Sequence, residues 1–312
     1  MSALRFSHFA ALMLALAAVP WASAQECPEV NPEAVKWLDK MSRSLQHVSY
    51  HGVVTFQRGG EDMQVVQVSH SVDGGTSTDR LTQLTGQGAE VVRKDHPLDC
   101  IHPGHNLLRL GQNQCGVAAN YRLSVSEGDL VAGRHSVRIA VAPRDMYRYG
   151  YVMELDRDTG LLLKTATIGR GNKVLEKFQF ANLSYGDDSP EGLDTAISHS
   201  AHHPVPAASS TNAAAKSPGW RVRWLPPGFA ATDAVSSASP RKTYTDGLAV
   251  FSVFLEKLDR EIRPGEGVAR KGSSTSYTRG VKLAGEPVLL TVVGEVPVNT
   301  ARMVADSVVW ER

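Results

Sequence analysis

From residue 50 to residue 183 the chain runs through one short β-type segment after another, with turn chemistry between them. The segments fall at 50–57, 63–70, 90–93, 107–110, 121–125, 134–141, 147–155, 161–168 and 174–183. In the second of them Met63 and Val65, with Val66 or Val68, give the alternation of a half-buried strand. Gly59-Gly60 reads as a hairpin turn, and Asp156-Arg157-Asp158-Thr159-Gly160 as a turn between two strong strands. Short connections cannot return a chain to a parallel neighbour, so this stretch must fold mostly as antiparallel sheet.

A helix precedes the strands. Asn31 is a capping residue, Pro32 is tolerated at the first helical position, and Glu33 suits the positive end of the helix. Ala34, Leu38, Met41, Leu45 and Val48 recur at helical spacing beside Trp37, and the apolar face they make must cover the sheet.

The first two dozen residues set the compartment. Arg5 and His8 precede an apolar run from Phe9 to Val19, then Ala22-Ser23-Ala24. A charged start, a short apolar stretch and small residues form a secretory signal, with cleavage expected after Ala24. The run is shorter than the roughly 20 apolar residues of a membrane span. Cys27 follows Ala24-Gln25-Glu26, which lacks the pattern of a lipid-attaching signal. The expected localisation is the periplasm.

Composition changes after Asp187. As far as Pro218 the chain is mostly Ser, Ala, Pro, Asn and His, too poor in large apolar groups to offset the entropy of ordering. The expected organisation is a signal peptide at 1–24, a first domain at 25–187, a flexible linker at 188–218 and a second domain at 219–312. Within the second domain, strands are expected at 248–258, 274–283 and 288–295, and Asn299 as the cap of a helix whose face holds Val304 and Val308. So small a domain is expected to lean on the first or on a partner.

A nucleophile elbow, a phosphate-cradling glycine loop, His-Glu-x-x-His and Cys-x-x-Cys are all missing from the sequence, and no enzyme or cofactor is expected. A net charge of +1 gives no support for nucleic-acid binding. Asp95, His96, Cys100, His102 and His105 are zinc-binding types, but their spacing matches no established ligand set. The preferred reading is a disulfide-bearing loop with surface histidines. His199, His202 and His203 lie in the linker, without a second shell to orient them. Of three cysteines, Cys100 and Cys115 are the favoured disulfide, closing a loop of about 15 residues worth roughly 3 kcal/mol. Pairings through Cys27 stay open.

The candidate partner-binding residues are Arg144, Arg148, Tyr149 and Tyr151 in the first domain, with Arg221, Arg223, Arg241 and Lys242 in the second. Arg and Tyr are enriched at interface hot spots. The alternative is tyrosines alternating across a strand, with the arginines solvated or paired with acids such as Asp145.

Longer stretches carry a resemblance. They are Val131-Ala132-Gly133-Arg134, Pro143-Arg144-Asp145, Tyr147-Arg148-Tyr149-Gly150-Tyr151 and Thr159-Gly160-Leu161-Leu162-Leu163-Lys164. The second domain adds Leu225-Pro226-Pro227-Gly228-Phe229, Tyr244-Thr245-Asp246-Gly247-Leu248 and Val292-Val293-Gly294-Glu295-Val296-Pro297. In this order they resemble the MucB/RseB family across nearly the whole mature chain. The resemblance implies a mainly β, α+β protein: a curved antiparallel half-barrel like LolA and LolB, with covering helices, and a smaller α+β C-terminal domain. It also implies a negative regulator of the envelope-stress sigma factor that binds the periplasmic part of a membrane anti-sigma factor. That binding shields the partner from site-1 proteolysis, and lipid or lipopolysaccharide relieves the inhibition. A periplasmic lipoprotein or lipid carrier is the alternative, against which the second domain counts.

Overall fold

The computed structural model describes residues 31–73, 76–86, 90–97, 116–186, 219–232, 239–259, 265–283 and 285–310. The signal peptide, Cys27, the strand expected at 107–110, Cys100, Cys115, His102, His105 and the linker with its histidines lie outside the described residues, as do the side chains of Asp95 and His96.

Helix α1 spans Pro32–His47, where the cap residues place it. Asn31 Oδ1 accepts from the backbone N–H groups of Glu33 and Ala34 at 3.0 and 3.2 Å, satisfying two of the helix's free donors. Ala34, Leu38 and Met41 are buried.

The strands of the first unit are β1 (Tyr50–Arg58), β2 (Gln64–Asp73), β3 (Thr76–Gln83), β4 (Glu90–Pro97), β5 (Tyr121–Val131), β6 (Arg134–Pro143), β7 (Gly150–Asp156), β8 (Leu162–Ile168) and β9 (Val174–Tyr185). They form one curved, wholly antiparallel nine-stranded sheet in the order β4-β3-β2-β1-β9-β8-β7-β6-β5. The β1–β4 and β5–β9 meanders meet along β1 and β9, with Tyr50 opposite Tyr185. The described strands do not close into a barrel.

Register places alternate residues on one apolar face, which divides into two clusters. Leu38 and Met41 of α1 pack with Ile139 and Val141 of β6 and Met153 and Leu155 of β7. Farther along the face Val54, Val68 and Phe180 form the second cluster, flanked by Tyr50, Val66, Phe178 and Leu183. Burial of each such side chain contributes roughly 1.5–3 kcal/mol. The helix is also fixed to the turn after β7, since Lys40 Nζ donates to the Arg157 carbonyl at 2.8 Å and Ser44 Oγ to that of Thr159.

The second unit contains β10 (Trp220–Val222), β11 (Ala230–Ala231), β12 (Arg241–Thr245), β13 (Val250–Lys257), β14 (Glu266–Lys271), β15 (Ser274–Leu283), β16 (Glu286–Gly294), α2 (Val298–Asp306) and β17 (Val308–Trp310). Six strands form an antiparallel sheet in the order β11-β12-β13-β16-β15-β14, while β10 pairs with β17. Phe251, Val253, Tyr277, Leu290 and Val292 make its core with Ala301 and Val304 of α2. The expected cap at Asn299 is corrected: Pro297 precedes the helix and Asn299 lies within it. Val308 belongs to β17, because the helix ends at Asp306 and the chain extends to pair with β10.

Candidate functional site

Two features have the makings of a functional site: the junction between the units and the apolar face beyond α1.

The junction is built around Arg148, whose side chain has no exposed surface. The bends that follow β6 swing it out of the sheet and into the second unit. Asp145 holds the guanidinium side-on, with Nε to Oδ1 at 3.0 Å and one terminal nitrogen to Oδ2 at 2.9 Å. Across the junction the other terminal nitrogen donates to Asp246 Oδ2 at 2.5 Å, and the Pro227 carbonyl accepts a further bond at 2.5 Å. The rings of Tyr121 and Phe229 lie 5.4 and 5.2 Å from the guanidinium carbon. Burial works against the Arg148 charge, but Asp145, Asp246 and Tyr121 outweigh it and hold its pKa above the ordinary value.

Asp246 is equally enclosed. It accepts from Tyr121 Oη at 2.9 Å, and its other oxygen accepts from the N–H groups of Leu248 and Ala249 at 3.0 and 2.8 Å. Burial and the neighbouring Asp246 charge push the Tyr121 pKa well above its usual value, so the phenol remains a donor. A buried charge pair is tolerable only when its hydrogen bonds are met, as they are here.

Three more contacts close the seam. Tyr147 meets Trp224 edge-on at 5.3 Å, and its carbonyl accepts from Thr300 Oγ1 at 3.0 Å. Gly228, at φ +83°, lies so close to Asn120 that an added Cβ would sit 1.9 Å from Nδ2. Only glycine meets both conditions.

On the apolar face, Phe178 and Phe180 meet edge-on at 5.5 Å, and Phe180 meets Tyr50 likewise at 5.8 Å. Buried His70 stacks on Tyr50 at 5.3 Å and bonds Asp79 through Nδ1 at 2.6 Å, while its Nε2 has no partner. Burial, then the Asp79 charge, pushes the Tyr50 phenol up to about 12. Phe56 and Phe178 are half-buried and Leu81 is 43% exposed. Among the described residues no helix reaches this half of the face.

The residues expected to bind a partner divide between these surroundings. Arg148, Tyr149 and Tyr151 are buried at or beside the junction, where they have no open surface to offer. Lys242 is also buried, with Nζ donating to the Trp220 carbonyl and lying 4.7 Å from that indole ring. Arg221, Arg223 and Arg241 are exposed on the second unit. Arg144 is exposed too, although its Nε bonds the carbonyls of Ala118 and Tyr121. The sequence does not reveal that Tyr121, Phe229 and Asp246 surround Arg148; the stretches holding Phe229 and Asp246 signal kinship, but not that they meet it. Among the described residues, no three His, Cys, Asp or Glu groups are placed to hold a metal.

Comparison with known proteins accounts for where these stretches lie. The MucB/RseB N-terminal domain matches residues 33–205 and the MucB/RseB C-terminal domain matches 214–309. The sigma factor AlgU regulatory protein MucB of Pseudomonas aeruginosa is 33% identical, over 98% of each chain. The sigma-E factor regulatory protein RseB of Haemophilus influenzae is 27% identical, over 96% of this chain and 97% of its own. A crystal structure of MucB in complex with MucA(peri) superposes with a TM-score of 0.69 at 32% identity, covering 89% of this chain and 99% of that one. Matched in both domains and along almost its entire length, the chain belongs to the MucB/RseB family.

Proposed function

We propose that this chain is a periplasmic negative regulator of an envelope-stress sigma factor, acting by binding the periplasmic segment of a membrane-spanning anti-sigma factor. The observation that carries the reading is the near full-length likeness, in sequence and in fold, to MucB, which has been crystallised with MucA(peri). Binding shields the segment from the protease that makes the first cut. Lipid or lipopolysaccharide relieves that protection by entering the apolar face around Phe56, Phe178 and Leu81. This function needs binding surfaces rather than a catalytic group. The exposed cations Arg144, Arg221, Arg223 and Arg241 are our candidates for contacting the partner. Arg148, Tyr149, Tyr151 and Lys242 support those surfaces from within.

The fold offers a route for relief. A ligand shifts an equilibrium only by its differential affinity for two states, and the partner must weaken ligand binding by the same factor. Here the two states differ in how the units meet at the Arg148–Asp246 seam. The 188–218 segment serves as the linker that lets the units rearrange between domains 25–187 and 219–312.

The test is protease protection. The mature chain is mixed with the periplasmic segment of its anti-sigma partner and the site-1 protease, with and without lipopolysaccharide. Protection that rises with dose and falls with lipopolysaccharide is expected. Equal cleavage at every concentration of the chain would refute the regulator reading.

A further inference from the structure

A second cleft between the units has a different chemistry. Three hairpin turns converge on it: Arg58, Gly59, Gly60 and Glu61 between β1 and β2, Lys173–Leu175 at the start of β9, and Arg270–Gly272 between β14 and β15. The space is about 510 Å³, within the roughly 300–1,000 Å³ range of small-molecule sites. Four cations and one acid line it: Arg58, Lys173, Arg270 and Lys271 against Glu61. Lys271 and Glu61 pair across the units at 3.5 Å. Among the described residues no carboxylate forms an ion pair with Arg58, Lys173 or Arg270; Glu176 lies under the Gly272 turn and the Arg58 guanidinium is 4.7 Å from the Phe56 ring, so four cations against Glu61 and Glu176 leave the cleft with a positive surplus.

The floor is closely fitted. A methyl group on Gly272 would stand 2.6 Å from Glu176 Oε2 and 3.3 Å from Arg58 Cγ, so side chains of the first unit already touch the turn of the second. Ser273, the next residue, is fully buried; its N–H donates to Glu176 at 3.3 Å and its Oγ has no hydrogen-bond partner. Concentrating like charges in a partly enclosed cleft raises the local concentration of counter-ions. Arginines on either side of such a space suit a group with several oxygens, which their forked donors can hold in pairs.

We propose that this cleft binds a phosphate-bearing anion, a phosphomonoester or diphosphate group, whose oxygens are shared between Arg58 and Lys173 of the first unit and Arg270 of the second. The cleft's size and its charge surplus fit one compact, multiply charged group better than an extended acidic peptide. Because both units contribute cations, the bound anion favours the arrangement that brings the three turns together. The inference goes beyond the regulator reading and needs neither the anti-sigma segment nor a protease.

The experiment titrates the mature chain at low salt with inorganic pyrophosphate, with phosphatidylcholine vesicles with and without phosphatidic acid, and, as a control, with a glutamate-rich peptide. The single variants Lys173→Gln and Arg270→Gln and the triple variant R58Q/K173Q/R270Q are titrated alongside, with unfolding curves confirming that each folds. Saturable one-to-one pyrophosphate binding is expected, weaker in both single variants and at least tenfold weaker in the triple variant. Binding of pyrophosphate identifies a free anion as a sufficient ligand; binding only to vesicles containing phosphatidic acid identifies a lipid headgroup, and either supports the site. Three results overturn it: no binding of either probe, equal binding by the parent and triple variant, or stronger binding of a glutamate-rich peptide than of pyrophosphate.

Discussion

The seam at Arg148 makes a quantitative prediction through the cycle of Arg148→Met, Asp246→Asn and the double variant. Methionine keeps an unbranched stem but removes the charge and four hydrogen bonds, leaving Asp246 enclosed and Asp145 only 23% exposed. Removing one partner of a buried ion pair costs about 3–5 kcal/mol, largely because the remaining charge is stranded. Asp246→Asn keeps an oxygen for the Leu248 and Ala249 N–H groups but leaves Arg148 charged, with Asp145 as its one remaining carboxylate beside the Pro227 carbonyl, so a cost of at least about 2 kcal/mol is expected. The double variant strands neither group at this pair, and should recover about 1–3 kcal/mol of the summed losses. Urea unfolding followed by tryptophan fluorescence reads this directly, because Trp224 lies against Tyr147 in the seam. Additivity of the two losses to within about 0.5 kcal/mol would refute the claim that these side chains act as one element.

Other consequences can be checked separately. Gly228→Ala should cost about 1–3 kcal/mol from the left-handed backbone alone, with the Asn120 clash added, and should expose the seam to limited proteolysis. Burial, then the Glu176 charge, raises the Glu295 pKa above its ordinary 4.5, so the folded state holds that proton to higher pH than the unfolded chain. Its ionisation therefore costs stability as pH rises through the raised value. Glu295→Gln should raise the melting temperature at pH 7, with the gain vanishing below pH 4.5. Phe178→Asp puts a charge on the half-buried apolar face; transfer of a fluorescent acylated probe should fall at least tenfold while far-ultraviolet circular dichroism stays unchanged.

Where local chemistry decides the outcome, the sequence is a good guide. The Asn31 cap, the Gly59-Gly60 hairpin and the Asp156–Gly160 turn are each closed by hydrogen bonds between residues no more than a few positions apart. The strand 274–283 coincides with β15 for the same reason. Strand β3 carries no signal in the sequence: Thr76–Gln83 contains one large apolar residue, Leu81, and holds its place through backbone pairing with β2 and β4. Strand β14 escaped for a similar reason, since every residue in it is exposed. At the site, Tyr147-Arg148-Tyr149 has the composition of a recognition surface, because Arg beside Tyr is common in hot spots. What distinguishes it is a carboxylate 98 positions away, and no local pattern encodes that meeting.

The joining of the two meanders at β1 and β9 also sets a timetable for the polypeptide. Tyr50 finds Tyr185, and Arg58 finds Glu176, only after more than a hundred intervening residues have become available. Pairings so distant in sequence form slowly, because the loop must be closed before any contact rewards it. During that interval the β1–β2 hairpin presents Val54, Phe56 and a row of unsatisfied backbone groups along the flank that β9 will take. A nascent chain in this condition invites capture by a holding chaperone until its ninth strand arrives.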